Sequence, residues 1–176
     1  TLSLREMIRC YIDHRIDVIR RRTTFLLNEA RKKAHVLEGM IYAVCDIDEV
    51  IRIIRASKTR EEAIQALMER RFRIAPTHKY AAMLPKRLMD YVASQESKGG
   101  VSLTRVQAET IGAMRLIQLV GLEIQKLTDE YKALVGEIEG YELILAEHSR
   151  VLDIIKEDCE EMKLRYGSPR LTTIEE

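Results

Sequence analysis

The feature that most limits how this chain can fold is a repeat near its C-terminal end. Leu127, Tyr131, Leu134, Ile138, Tyr141, Leu145, His148, Leu152, Ile155, Cys159, Met162 and Tyr166 follow one another in steps of four and three, and nearly all are apolar or aromatic. A 3.5-residue period keeps one seam of a helix turned toward a partner helix. Unbroken, the run would be ~60 Å long, well beyond an ordinary globular helix. Such a helix requires a partner of comparable length.

The N-terminal end supplies one, since Ile8, Ile12, Ile16, Ile19, Thr23, Leu26, Ala30, Ala34, Leu37 and Ile41 form a second seam with no proline in it. The intervening segment must return, so the two helices pair antiparallel. The expected fold is all-α, a long antiparallel coiled-coil stalk with a small helical globular domain at its tip. Residues 1–44 are the outgoing helix, 45–121 the globular domain, 122–166 the returning helix and 167–176 a tail. A break is expected at 147–149, because Ser149 can cap a new helix. Pairing Ile41 with the neighbourhood of Leu122 places Arg5 and Arg9 opposite Glu157, Asp158, Glu160 and Glu161.

Within the globular segment, Asp46 or Asp48 reads as the cap of a short helix carrying Ile47, Val50, Ile51 and Ile54. Thr59 with Glu62, and Thr104 with Gln107, have the spacing of capping boxes. Pro76 and Pro85 interrupt residues 71–100, where a helix over 86–94 is expected. Gly121 marks a bend.

A chain 46% hydrophobic and 32% charged, with three prolines, suits a mainly helical soluble protein. No apolar run approaches the ~20 residues of a membrane helix, and the charged N-terminus does not read as a signal peptide. The net charge of +1 hides a basic first helix and an acidic last one. Cys10, Cys45 and Cys159 lack metal or disulfide spacing and read as buried thiols in a reducing compartment.

The residues offer little chemistry of their own. Tyr11 has Arg9 and Arg15 close by, yet sits near the first seam and reads as packing. His14, His35, His78 and His148 are scattered. Asp46, Asp48 and Glu49 could suggest magnesium, but carboxylates at a helix start explain them more simply. Glu157, Asp158, Glu160 and Glu161 read as a solvated face. Arg20, Arg21 and Arg22 read either as a solvated, salt-bridged face or as a weak DNA-facing surface, nonspecific and salt-sensitive. Catalytic, cofactor-binding and metal residues are expected to be absent.

Two stretches carry a resemblance. The run from "LREMIRCYIDHRIDVIRRRTTFLL" to "EEAIQALMER" and the run from "SLTRVQAETIGAMRLIQLVGLEIQKL" to "CEEMKLRYG" closely resemble the breakage-reunion subunit of bacterial type IIA topoisomerases, the DNA gyrase A subunit first and the topoisomerase IV A subunit second. The resemblance implies the coiled coil and exit-gate (C-gate) dimerisation domain, which hold the dimer together and release the transported duplex during ATP-dependent strand passage. It implies a homodimer contact at Met114, Arg115, Leu116, Leu119, Val120, Gly121 and Leu122. It also implies a partner B subunit, transient contact with double-stranded DNA, ATP and Mg2+ in the holoenzyme only, and a bacterial, nucleoid-associated location in the cytoplasm. The family's catalytic tyrosine has no counterpart in the two stretches, so the fragment is expected to be inactive alone. A non-enzymatic coiled-coil scaffold is the competing reading.

Overall fold

The computed structural model describes residues 1–173 and 175. Its first helix, α1, runs from Leu4 to Cys45. A capping box opens it: the Glu6 N–H donates to Ser3 Oγ at 3.3 Å, and the Ser3 N–H donates to Glu6 Oε2 at 2.7 Å. The Ser3 N–H, together with the Ser3 hydroxyl that donates to the same oxygen at 2.8 Å, holds the exposed Glu6 carboxyl below its ordinary value. The following helices are α2 (Ile47–Ala56), α3 (Arg60–Glu69), α4 (Lys86–Ser94), α5 (Arg105–Ala113), α6 (Leu116–Val120), α7 (Ile124–Ala146) and α8 (His148–Tyr166). Two short strands, β1 (Arg71–Phe72) and β2 (Val101–Ser102), pair antiparallel with Phe72 opposite Val101.

The fold corrects the expected stalk with an all-helical tip. It is an α-helical fold carrying a small antiparallel sheet, and its helices pack into two compact units, Thr1–Asn28 with Ile138–Glu176 and Glu29–Glu137. The return run is two helices of 23 and 19 residues, divided at Glu147, which adopts an extended conformation (φ −111°, ψ 114°) within the 147–149 stretch where a break is expected. Ser149 does not cap α8; the N-cap is Glu147, without a side-chain bond.

In the first unit, Ile19 of α1 meets Val151 and Ile155 of α8, with Ile12, Ile16, Ile144 and Ile154 packed around them. Arg15 Nη2 donates to Asp158 Oδ2 at 2.6 Å. The expected opposition of Arg5 and Arg9 to the acidic end of α8 is therefore displaced by more than a turn, and Arg15 makes the cross-helix ion pair. Leu27, rather than Leu26, is the buried leucine of the first seam.

The larger core belongs to the second unit, where Ile41, Tyr42, Val50, Leu67, Phe72, Leu88, Ile111 and Leu119 are fully or nearly fully enclosed. Each such aliphatic or aromatic side chain contributes ~1.5–3 kcal/mol relative to exposure. Helices α3 and α5 pack against each other, and α2 against α3. The Glu62 N–H donates to Thr59 Oγ1 at 3.2 Å, as that spacing implies. Asp46, by contrast, makes no cap bond; its carboxylate accepts from Arg70 Nε and Nη2 at 3.2 and 2.9 Å.

One contact sets how closely α1 and α5 approach. Gln107 is buried, its amide donates to the His35 carbonyl at 2.7 Å, and its Oε1 accepts from the Thr104 N–H at 3.0 Å. A Cβ on Gly39 would lie 2.8 Å from Gln107 Cβ, so only glycine fits there. The Thr104 hydroxyl lies 2.7 Å from His35 Nε2. Gly100, at φ +123° with its missing Cβ 2.7 Å from the Phe72 carbonyl oxygen, seats β2 against β1.

Candidate interaction surfaces

The segment expected to meet a second copy begins where α5 stops. Met114 and Arg115 are extended, and α6 starts with the Arg115 N–H donating to Gln118 Oε1 at 2.9 Å. A five-residue helix has one inward position here, and Leu119 takes it, at 1% exposure. Leu119 is thus a core residue of its own chain. Leu116 and Val120 are exposed, with Arg115 and Gly121, whereas Met114 and Leu122 are half-buried. Ile117, 79% exposed, is the most prominent apolar side chain on α6 and lies outside the expected set of contacts. Its signal is its position two residues from Leu119, which on a helix is nearly the opposite face.

The three arginines of α1 diverge, as residues ~100° apart must. Arg20 Nη2 lies 3.3 Å from His148 Nδ1, and Arg21 pairs with Asp17 at 2.7 Å. Arg22 is exposed and has no ion-pair partner among the described residues. The arginines do not line one surface together.

A third surface appears in the first unit, where α1 and α8 flank a groove of 420 Å³ lined by Tyr11, Arg15, Asp158, Cys159, Met162 and Arg165, among others. Tyr11, expected as packing, is 54% exposed because it stands one residue off the Ile8–Ile12 seam. Both arginines beside it are committed: Arg15 to Asp158, and Arg165 to Glu161 at 2.5 Å. Cys10 and Cys159 are exposed and Cys45 is intermediate, which corrects the reading of three buried thiols. Burial, with the neighbouring Asp46, pushes the Cys45 thiol up to about 12, so it is no nucleophile at neutral pH.

Two further polar sites lie inside the second unit. The Tyr131 hydroxyl donates to Glu38 Oε1 at 2.8 Å, while Tyr42 Oη and Thr128 Oγ1 are buried without a hydrogen-bond partner. Burial and the nearby Glu38 carboxylate raise both tyrosines above their ordinary value near 10. Of the carboxylates that could have suggested magnesium, Asp46 is engaged by Arg70 and Glu49 by Arg52 at 2.7 Å. Among the described residues no cluster of three metal-ligating side chains occurs, and no helix is long and apolar enough to cross a membrane.

Comparison with known proteins decides the relationship. A family model for the A subunit of DNA gyrase/topoisomerase IV matches residues 1–160. The chain belongs to this family. The DNA gyrase A subunit of Rickettsia conorii is 40% identical over 99% of the chain, and that of Halalkalibacterium halodurans 39% identical over 98%. The Chlamydia muridarum protein of the same name is 37% identical over 99%. The chain spans only 19% of the R. conorii protein and 17% of the other two.

Membership in the family of gyrase and topoisomerase IV A subunits also brings corrections. The matched region is the N-terminal catalytic region of the A subunit. This overturns the identification of the chain as a C-terminal coiled-coil and C-gate dimerisation fragment, together with the exit-gate role drawn from it. The expectation that the fragment lacks the catalytic tyrosine is withdrawn for the same reason, since that tyrosine belongs to the catalytic region. The scaffold reading, which required no enzymatic relatives, falls as well.

Proposed function

We propose that the chain serves the catalytic region of the A subunit of a bacterial type II DNA topoisomerase, in which one DNA duplex passes through a transient double-strand break in another. The observation that carries this reading is the family match over residues 1–160, joined by gyrase relatives that align with nearly the whole chain. Its substrate is double-stranded DNA. Its partners are a second copy of the A subunit, together with a B subunit that consumes ATP with Mg2+, and its place is the bacterial cytoplasm. The relatives named above are all gyrase subunits, which favours supercoiling over the decatenation of topoisomerase IV.

Within that assembly, the second copy meets Leu116, Val120 and their neighbours Met114, Arg115, Gly121 and Leu122. What supports this is the row of exposed apolar side chains on α6, Val120 and Ile117 above all. Leu119 acts from beneath by holding α6 in place. Arg22 is the member of the Arg20–Arg22 group left to contribute to a weak DNA-facing surface, since Arg20 and Arg21 are turned to His148 and Asp17.

The test uses the full-length A subunit with its B subunit. ATP-dependent supercoiling of relaxed plasmid is the expected result, decatenation without supercoiling would shift the assignment to topoisomerase IV, and neither activity would overturn the reading. Changing both Ile117 and Val120 to Asp should lower the sedimentation mass of the A subunit while leaving its helicity intact. An unchanged mass would remove α6 from the self-contact.

A further inference from the structure

Residues 71–98 carry six Lys/Arg against two Asp/Glu, in a chain whose net charge is only +1. Positive charge is therefore local to this part of the second unit. Its cations are also left without counter-charges. In the same unit Arg52, Arg70 and Arg105 are held by Glu49, Asp46 and Glu61, whereas Arg71, Arg73 and Lys98 form no ion pair among the described residues, with Asp90, Glu96 or any other carboxylate.

The fold gathers these three. Burial alternates from Arg71 to Ile74: Phe72 and Ile74 enter the core, at 1% and 4% exposure, so both arginines leave by the other side. Ser102, exposed on β2, stands opposite Arg71 in the antiparallel pair. Arg73 Nε donates to the Gly99 carbonyl at 2.7 Å, which brings it to the residue next to Lys98. That turn is made of two glycines with left-handed backbone, φ +88° at Gly99 and +123° at Gly100, and a Cβ on Gly100 would lie 3.0 Å from Arg73 Cγ. The missing side chain lets the arginine lie along the turn.

The result is a guanidinium fixed at one nitrogen, with neither Nη bonded among the described residues. A fork held in this way suits the paired oxygens of a phosphate. With a second guanidinium two residues along, an ammonium beside the turn and the Ser102 hydroxyl, the surface suits phosphates presented in series, as they are along a phosphodiester backbone.

We propose that Arg71, Arg73 and Lys98 form a contact for the phosphate backbone of double-stranded DNA, independent of base sequence. The choice of duplex DNA among polyanions rests on the topoisomerase reading above. Three cations hold a duplex weakly and release it as salt rises, each phosphate contact adding about 0.9 to the log–log salt slope.

Lys98 supplies the readout. In the full-length A subunit, acetylation by N-hydroxysuccinimidyl acetate is followed peptide by peptide by mass spectrometry, with and without a short duplex of mixed sequence, and the exposed Lys58 is the control. At low ionic strength the duplex should slow acetylation about ten-fold at Lys98 and under about two-fold at Lys58, and high salt should abolish the difference. Arg71→Gln combined with Arg73→Gln leaves Lys98 in place and should remove its protection with helicity unchanged. Unaltered protection in that double variant, or equal slowing at Lys58, would overturn the proposal. So would inorganic tripolyphosphate protecting Lys98 as well as the duplex does at equal phosphate concentration, which assigns the cluster to a small polyanion. A full-length protein that supercoils DNA with Lys98 unprotected would sink the surface and leave the proposed function standing. Protection of Lys98 in a protein without topoisomerase activity would do the reverse.

Discussion

At Gly39 the missing side chain is what lets Gln107 reach both the His35 carbonyl and the Thr104 N–H. A methyl group there would meet Gln107 Cβ and Cγ at 2.8 Å, with no flexible end to yield. Gly39→Ala should therefore destabilise the second unit by ~1–3 kcal/mol, read as a lowered denaturation midpoint. Thr128 presents the opposite case, a buried hydroxyl with no partner, whose desolvation the fold bears without return. Thr128→Val keeps the shape and should be neutral or stabilising by up to ~1 kcal/mol in the same assay. Tyr42 and Tyr131 tie stability to pH. Their folded values are raised, so above pH ~10 the unfolded chain loses phenolic protons that the native chain keeps. Stability is full below that point and falls as pH rises through and beyond it, by at most ~1.4 kcal/mol per pH unit for each group. Chemical denaturation between pH ~9 and ~11 should show the decline, and Tyr131→Phe should make it shallower. Sequence pattern marks Tyr131 as a seam residue and Gln107 as half of a capping box, but it does not reveal their distant partners, because a contact across 70 or so positions, as between His35 and Gln107, leaves no local trace.

Elements were legible where their signals are local. Thr59 with Glu62 and Thr104 with Gln107 start α3 and α5 where their spacing placed them, and the expected helix over 86–94 is α4. The Ser3–Glu6 box at the head of α1 has the same spacing and is a third of the kind. Asp46 shows the limit of such signals: it has the right identity and position for a cap, but the Arg70 guanidinium offers its carboxylate two charge-assisted bonds. The strands were illegible for a different reason. With two residues each, they are too short for any alternation to show, and their pairing rests on the turn at Gly99–Gly100. Helix α7 carries two glycines that nothing in the fold requires, since a Cβ at Gly136 or Gly140 would have nothing within 4 Å. Changing either to Ala should stabilise by ~0.5–1 kcal/mol, seen as a rise in melting temperature with unchanged helix content.

Over the whole molecule, the repeat revealed that the chain is helical at both ends and did not reveal how those helices are aligned. A seam that recurs every seven residues looks the same after a shift of seven, so periodicity alone could not fix which residue of α1 faces Asp158. The charge asymmetry between the two ends, read as mutual support, includes the cross-helix pair of Arg15 with Asp158, whereas Arg21 with Asp17 and Arg165 with Glu161 join neighbouring turns of one helix. The candidate surface on α6 was legible as a segment and not as a face. Its apolar composition marked the region, but which leucine turned inward depended on the turn at Met114–Arg115.

Helix α1 has one continuous run of backbone hydrogen bonds from Leu4 to Cys45, yet its residues up to Asn28 belong to one compact unit and those from Glu29 to the other. Its amide protons should therefore report two different opening equilibria within a single element. In native-state hydrogen exchange, residues around Ala34 to Ile41 should share the slow exchange of the larger core, whereas those around Ile12 to Ile19 should exchange at the faster rate of the smaller one. The step should fall near Asn28, where the local sequence contains neither glycine nor proline to announce it. A uniform protection along α1 would mean that the two units open as one cooperative block.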